Sequence, residues 1–441
     1  MRLTFSGGVH PREAKDATKA LPIEAFEAPQ VLVVPLLQHI GAPARAAVKA
    51  GDKVAKGETI GEPGGFISAA VHAPVSGTVS AVEPRLGPGG RKIMAVVIEN
   101  DGEDRWADGT NVKRDTSSLD ADTIRNIASD AGLVGMGGAA FPTHVKLSPP
   151  DNKPIELLLV NGAECEPFLT ADHRLMLEEP ERIAFGAQLA ARAVSAARII
   201  FALEDNKPDA AETLEKAASK IPSATVVTLP TRYPQGAEKQ LIEAVTGRQV
   251  PSGGLPMDVG VLVQNVGTCA ALQDACAFNV PLIERITTVT GPSAGRPANL
   301  RVRIGTLYEA LFERVGFAGA PRRIVMGGPM MGMAQGSVEV PVTKGTSGIV
   351  LLDSVPGDVW RACIRCGKCV RACPVSIVPS QISVFLERGY VDEANEIDML
   401  DCIECGCCTY VCPARRPIVN WIKAGKAELA ERRAREREGA K

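Results

Sequence analysis

Cys363-Ile-Arg-Cys366-Gly-Lys-Cys369-Val-Arg-Ala-Cys373-Pro374 and Cys402-Ile-Glu-Cys405-Gly-Cys-Cys408-Thr-Tyr-Val-Cys412-Pro413 are two copies of one pattern. Their reading decides how the C-terminal part of the chain folds. Each run sets three cysteines at x2 spacing and a fourth, x3 further on, directly before proline. A tight loop can present three thiolates to three corners of a cube, and the fourth corner must be met from elsewhere. The proline then turns the chain away after the last ligand. The pattern predicts two [4Fe–4S] clusters with crossed ligation. Cys363, Cys366, Cys369 and Cys412 hold one, and Cys402, Cys405, Cys408 and Cys373 hold the other. Zinc sites pair C-x2-C knuckles from separate turns, which this spacing fits poorly. Cys407, inside the second loop, reads as a packed thiol, and Cys165, Cys269 and Cys276 read as small buried hydrophobes.

The bulk numbers set the frame. At 441 residues the chain exceeds one ordinary domain. Hydrophobic residues at 45% and charged residues at 23% leave ample material for buried cores. A net charge of −2 makes no case for nucleic acid, which wants a basic surface. No apolar run is long enough to span a membrane. The N-terminus lacks the apolar centre of a signal peptide, so the chain is expected to stay in the cytoplasm. There, twelve cysteines imply metal or redox use rather than structural disulfides.

Upstream, the pattern divides the chain. Val48-x2-Gly51-Asp52-x-Val54-x2-Gly57 and Ala73-Pro74-Val75-Ser76-Gly77-x-Val79 resemble the half-motifs of a biotinyl/lipoyl-like barrel-sandwich. Residues 62–71 between them hold no lysine, so a docking domain is expected rather than a cofactor carrier. From about Thr116 helices and strands alternate. Ile124, Ile127, Ala128 and Ala131 recur at helical spacing. Ile155–Val160, Arg198–Leu203, Ala224–Leu229 and Val259–Val263 read as buried strands. Pro180–Ala197, Pro208–Ile221 and Gly236–Thr246 between them read as helices. That order predicts a largely parallel, Rossmann-like sheet with ligands at the strand C-terminal ends. The resulting expectation is a multidomain α/β plus α+β chain. Its units are a barrel-sandwich domain at 1–115, an α/β domain at 116–280, a β-grasp-like module at 281–350, a two-cluster unit at 351–425 and a charged tail at 426–441.

The second strong signal is Gly132-Leu-Val-Gly135-Met-Gly137-Gly138-Ala-Ala140-Phe141-Pro142-Thr-His-Val-Lys146. Closely packed glycines let backbone N–H groups approach a phosphate, and Lys146 adds a point charge. A tight turn would explain the string equally well in isolation. The context favours a nucleotide. The strand ending at Val160 runs into Asn161, Glu164 and Glu166, two carboxylates and an amide suited to ribose or isoalloxazine. Tyr233, Gly236 and Glu238 open a helix, and Asn265 and Thr268 follow another strand. The histidines (10, 39, 72, 144 and 173) are scattered and read as structural or surface residues.

The glycine string resembles the FMN loop in the NADH-oxidising flavoprotein subunit of respiratory complex I. Further matching stretches include Gly7-Gly8-Val9-His10-Pro11, Gln38–Gly41, Val160–Met176, Pro251–Thr268, Gly327–Gly332 and both cysteine runs. Together they cover nearly the whole chain. The chain resembles the RnfC family, whose members are parts of Rnf complexes, membrane-bound ion-translocating ferredoxin:NAD+ oxidoreductases.

The resemblance implies an NADH-linked oxidoreductase subunit that relays electrons from flavin through two clusters. FMN and NAD(H) would sit on residues 116–280, with FMN held by Gly135, Gly137, Gly138, Lys146, Asn161, Glu164, Tyr233, Gly236, Glu238, Asn265 and Thr268. Glu164 and Glu166 would serve catalysis. The implied partners are other Rnf subunits, membrane-embedded ones and an iron–sulfur subunit among them. The implied location is peripheral, on the cytoplasmic face of the bacterial inner membrane. Ala140 departs from the family pattern, where glycine is usual. Two alternatives stay open. A soluble cobalamin-reductase-like flavoprotein shares the glycine loop and clusters but lacks the Gly7–Pro11 opening. A ferredoxin-type scaffold subunit would carry clusters without flavin.

Overall fold

A computed structural model describes residues 3–354 and 359–439. Strand β1 (Ile23–Ala25) precedes a barrel-sandwich built from β2 (Val31–Pro35), β3 (Arg45–Ala46), β4 (Lys53–Val54), β5 (Thr59–Glu62), β6 (Val71–His72), β7 (Gly77–Leu86) and β8 (Lys92–Asn100). Its two small sheets run β2-β8-β7-β4 and β3-β5-β6. Leu32, Val34, Ile60, Val79, Val96 and Ile98 fill one core between them. Each such side chain contributes about 1.5–3 kcal/mol by burial.

The α/β unit follows with α1 (Ala121–Asp130), α2 (Thr143–Lys146), β9 (Leu157–Asn161), α3 (Ala171–Glu178), α4 (Pro180–Ala193), β10 (Arg198–Glu204), α5 (Pro208–Ala218), β11 (Ala224–Leu229), α6 (Glu238–Thr246), β12 (Val261–Asn265) and α7 (Val266–Phe278). The strands are all parallel, in the order β11-β10-β9-β12. The chain leaves β9 toward one side of the sheet and returns as β12 on the other. The order reverses at that point, and a crevice opens beyond the C-terminal ends of the two strands. The strand expected at Val259–Val263 runs Val261–Asn265, which carries Asn265 to the crevice edge. Helices α4 and α7 cross at Gly186, where any Cβ would collide with the Cys269 carbonyl. Cys269 and Cys276 are core residues of α7, at 1% and 0% exposure.

Next come β13 (Glu284–Thr290), β14 (Ala298–Arg303), α8 (Tyr308–Val315), β15 (Arg323–Met326), β16 (Met333–Gln335) and β17 (Gly348–Leu352). Tyr308, Leu311, Phe312 and Val315 form the buried stripe of α8 at helical spacing. The six-stranded sheet has the order β1-β14-β13-β17-β15-β16. Its first strand therefore comes from the N-terminal segment. Residues before about Val31, placed in the 1–115 unit, lie outside the barrel's two sheets. They form a strap that crosses three units.

The C-terminal unit contains α9 (Lys368–Ala372), α10 (Pro379–Glu387), α11 (Val391–Glu396), α12 (Cys407–Tyr410) and α13 (Ile418–Gly439). Helix α13 is continuous through the expected boundary at 425/426. Ile418, Ile422 and Leu429 pack with Ile382, Leu386 and Met399, so the first turns of the supposed tail belong to the core. Gly425 permits this, because a side chain there would run into Leu386. Among the described residues no helix is long and apolar enough to cross a membrane.

Candidate functional site

Asn161 and Asn265 lie in register at the ends of β9 and β12. The Asn161 amide donates to the Gly236 carbonyl (2.8 Å), while its oxygen accepts from Ala163 N (3.1 Å). Asn265 Oδ1 caps α7 by accepting from Gly267 N (2.9 Å), and its Nδ2 donates to Asp172 Oδ2 (2.6 Å). The glycine loop is drawn over the same place. Thr268 Oγ1 accepts from Met136 N (2.9 Å), and Arg285 donates to Met136 O (2.6 Å). Lys344, 1% exposed, donates to Gly132 O (2.7 Å) from the β-grasp-like module. Lys146 reaches across the crevice floor to Glu238 Oε1 (2.6 Å) and Val263 O (2.7 Å). Gly135, Gly137, Gly138, Lys146, Asn161, Gly236, Glu238, Asn265 and Thr268 thus converge.

Glu164 and Glu166 take other duties in this geometry. Glu164 accepts from the N–H groups of Asp172 (2.8 Å) and His173 (3.2 Å), sitting as an anion at the start of α3. Glu166 accepts from Met330 N (3.0 Å) and Met331 N (2.7 Å), tying down the turn at Gly327–Gly332. Gly328 has no room for a side chain beside that carboxylate. Burial pushes the Glu166 carboxyl above its ordinary range, against the pull of those two N–H groups. Both groups expected to serve catalysis are engaged as anchors of the loop after β9.

That loop is held from beneath by two buried ammonium groups. Lys15 of the strap donates to the carbonyls of Glu164 (2.8 Å), Glu166 (3.0 Å) and Leu169. Lys207 donates to Ala163 O (2.6 Å) and pairs with Glu204 (3.2 Å). Glu164 (φ 44°) and Phe168 (φ 72°) occupy left-handed backbone that non-glycine residues hold only when their surroundings impose it.

Tyr233 turns away from the crevice, contrary to its expected place among the flavin contacts. Its hydroxyl donates to the Cys405 carbonyl (2.7 Å), and its backbone pairs with Val9 of the strap. Val9, Tyr233, Ala372, Cys405 and Cys407 form one buried cluster, with Cys165 and Met330 against it. Cys165 Sγ in turn accepts from Gly236 N (3.3 Å) at the crevice. Gly7 lies so close to the Cys373 carbonyl that only glycine fits, and Gly8 N donates to Ala372 O (2.9 Å). The strap's opening motif therefore seats the second nest of cysteines against the crevice.

The two cysteine loops are conformational copies. Arg365 and Glu404 both have φ 57°, and Gly367 and Gly406 have φ 73° and 79°. Cys363 Sγ accepts from Arg365 N and Cys402 Sγ from Glu404 N, each at 3.4 Å. Cys363, Cys366, Cys369 and Cys412 line one small hollow. The thiols of Cys373, Cys402, Cys405 and Cys408 lie within electrostatic reach of one another. Each expected set thus lies in one neighbourhood, though among the described residues no three of these side chains are gathered closely enough to hold a metal ion. Backbone N–H groups point at sulfur in both loops, as a cluster's thiolates require. Cys407 is fully buried behind the second nest.

The crevice also suits a flavin phosphate. A Cβ on Gly138 (φ 156°) would meet nothing within 4 Å, and one on Gly135 would come no closer than 3.6 Å to Phe141 O. Gly135 N donates to Phe141 O (2.8 Å), while the N–H groups of Gly137 and Gly138 have no hydrogen-bond partner among the described residues. Ala140 has φ 51°, which explains why glycine is at home there. Its methyl lies toward Gly345 of the β-grasp-like module, where an added Cβ would come within 3.5 Å of it.

Sequence reasoning gave no role to Lys15, Asp172, Arg285 or Lys344. Each acts on a group more than a hundred residues distant, or lies outside any motif spacing.

Comparison with known proteins agrees with this layout. Residues 3–103 match the RnfC barrel sandwich hybrid domain, 128–274 the Nuo51 FMN-binding domain and 358–413 a 4Fe-4S dicluster domain. A relative from Clostridium ljungdahlii, part of its proton-translocating ferredoxin:NAD(+) oxidoreductase complex, is 45% identical, covering 100% of this chain and 97% of its own. Its counterpart in the Na(+)-translocating ferredoxin:NAD(+) oxidoreductase complex of Acetobacterium woodii is 43% identical, covering 98% of each chain. Among solved structures, an NAD+-reducing [NiFe]-hydrogenase in the air-oxidized state shares the fold over 61% of this chain and 53% of its own, with TM-score 0.50 and 21% identity. The chain belongs to the RnfC family, components of the ion-translocating ferredoxin:NAD(+) oxidoreductase (Rnf) complexes.

Proposed function

We propose that this chain exchanges hydride between NAD(H) and FMN at the β9/β12 crevice and passes the electrons singly through two [4Fe–4S] clusters. The cluster of Cys402, Cys405, Cys408 and Cys373 stands next to the flavin, and that of Cys363, Cys366, Cys369 and Cys412 faces the partner. One observation carries this order: Tyr233 joins the crevice-side loop to the Cys405 carbonyl (2.7 Å). When bound, the flavin supplies the exchange between paired and single electrons that the clusters need.

The chain's own residues do the rest. The N–H groups of Gly137 and Gly138 receive the phosphate, with Lys146 as the neighbouring charge. The amides of Asn161 and Asn265 orient the ring system from the strand ends. Glu164 and Glu166 hold the loop that covers it. Tyr233, Cys165 and Cys407 fill the passage to the second nest and exclude water from it.

The outer nest is flanked by exposed apolar residues, Val359 at 78%, Ile364 at 65% and Tyr410 at 53%. They suit docking to other subunits of the complex, an iron–sulfur subunit and membrane-embedded ones among them. The chain then sits peripherally on the cytoplasmic face of the bacterial plasma membrane, and ion passage belongs to its partners.

Anaerobic addition of NADH to the flavin- and cluster-loaded chain tests this reading. It predicts bleaching of the flavin band, followed by that of the clusters. Clusters that stay oxidised beside a reduced flavin would remove the relay. A pure, cluster-loaded chain that takes up no flavin would favour the scaffold reading instead.

A further inference from the structure

A narrow cleft of about 50 Å³ runs from the back of the glycine loop to the surface. Helices α3, α4 and α7 and strands β13 and β14 enclose it. Met136 of the glycine loop, Asp172 and Gly267 line its inner end. At its mouth lie Arg182 and Asp274, each 24% exposed, with Arg301 at 26% and Glu284 at 32%. They pair as Arg182–Asp274 and Arg301–Glu284, with Glu179 bridging the two arginines.

The wall between cleft and crevice is one side chain thick. Asn265 touches Asp172 on one side (2.6 Å), and on the other a Cβ on Gly137 would lie 3.1 Å from it. Arg285, 3% exposed, also lines the cleft, and its Nε has no partner among the described residues. At roughly 10–15 Å³ of its volume per molecule, the cleft has room for a few waters.

We propose that Asp172 and this cleft form the proton path between the flavin crevice and solvent. The inference rests on hydride exchange at the crevice. A hydride taken from NADH comprises one proton and two electrons. The clusters accept only the electrons, so one proton per NADH must leave the crevice, or enter it when the flow reverses. The Asp172 carboxylate takes that proton across a crevice water and becomes the neutral acid. It then yields the proton to water in the cleft and returns to the carboxylate.

The charges around Asp172 suit a group that both accepts and releases. Burial and the Glu164 carboxylate favour the protonated form. Opposing them are the Arg285 guanidinium of β13, the Asn265 amide at the end of β12 and the Lys15 ammonium of the strap. The neighbouring His173 of α3 is turned outward to Asp209 (2.9 Å) and takes no part.

The test uses the full, cofactor-loaded chain in lightly buffered solution with a pH-indicator dye. NADH is mixed in against a one-electron acceptor. In Asp172→Asn, proton release should slow roughly 100-fold relative to flavin bleaching followed in the same sample. Acetate, a small diffusible acid, should restore it. Ala271→Leu, which narrows the cleft without touching the carboxyl, should also slow proton release.

A readout independent of turnover is the infrared difference spectrum of the flavin-free chain after a pH jump. It should contain a carboxylic acid band that Asp172→Asn lacks. Parent-like proton release in both variants, or slow release that acetate does not restore, would overturn the path. An unbleached flavin in the parent would instead refute hydride exchange itself, and the path with it.

Discussion

Replacing Lys15 by methionine keeps the side chain's length and removes its three hydrogen bonds to the carbonyls of Glu164, Glu166 and Leu169. Lys15 is 6% exposed, so no solvent stands ready to take its place. Each buried acceptor left without a donor costs about 1–3 kcal/mol. Burial already disfavours the ammonium, with Glu164 partly compensating, so its removal returns part of that cost. The low end of the range is therefore appropriate, about 3 kcal/mol in all. Against a typical stability of about 5–15 kcal/mol the chain stays folded, and the loss is local to the loop after β9.

An opening cost reduced by about 3 kcal/mol raises the open population roughly 150-fold, and flavin affinity should fall by up to that factor. Fluorescence titration of FMN gives the affinity, and hydrogen exchange across residues 163–170 gives the opening. Iron content should match the parent, because no cysteine ligand is touched. Parent-like exchange protection and FMN affinity in Lys15→Met would refute the idea that the strap holds this loop.

Gly137→Val should lower FMN occupancy at unchanged iron content, because its Cβ would press on Asn265 at 3.1–3.3 Å, and overpacking costs about 1–3 kcal/mol. Cofactor analysis of the purified variant measures it. Lys344 carries a pH signature, since burial lowers its ammonium from 10.5 to about 7. Between those values the unfolded chain binds more protons than the folded one. Stability from this residue therefore rises with pH across that window, and melting curves of Lys344→Met should lack that component. Crossed ligation predicts that Cys373→Ala damages the cluster of the second run and Cys412→Ala that of the first. Paired EPR spectra showing loss of the sequence-local cluster in each would overturn the crossing.

What the sequence disclosed was local chemistry. Ligand spacing in the cysteine runs, helical stripes such as Ile124–Ala131, and apolar runs that become β9–β12 all depend on residues near one another in the chain. The glycine loop and the residues converging on it were legible for the same reason, each lying at the end of a recognisable element. Contacts made across the fold were not legible. Glu164 and Glu166 were expected to face a ligand, yet they answer unpaired N–H groups of α3 and of the turn at Gly327–Gly332. Tyr233 was expected at the flavin, yet a carbonyl in the second cysteine loop takes its hydroxyl. The strap was grouped with the barrel that follows it, although β1 completes a sheet formed about 275 residues later. The tail boundary was drawn at a change of composition, which does not reveal that Leu429 still packs on the core.

The central claim is that the nest of Cys402, Cys405, Cys408 and Cys373 lies between the flavin and the outer cluster. Cys405→Ala and Cys366→Ala, each retaining the other cluster, test it by freeze-quenched EPR after one pulse of NADH. In Cys366→Ala the inner cluster should be reduced by NADH as fast as in the parent. In Cys405→Ala the outer cluster should remain oxidised on that timescale, although dithionite still reduces it. Rapid NADH-driven reduction of the outer cluster in Cys405→Ala would contradict the order of the relay.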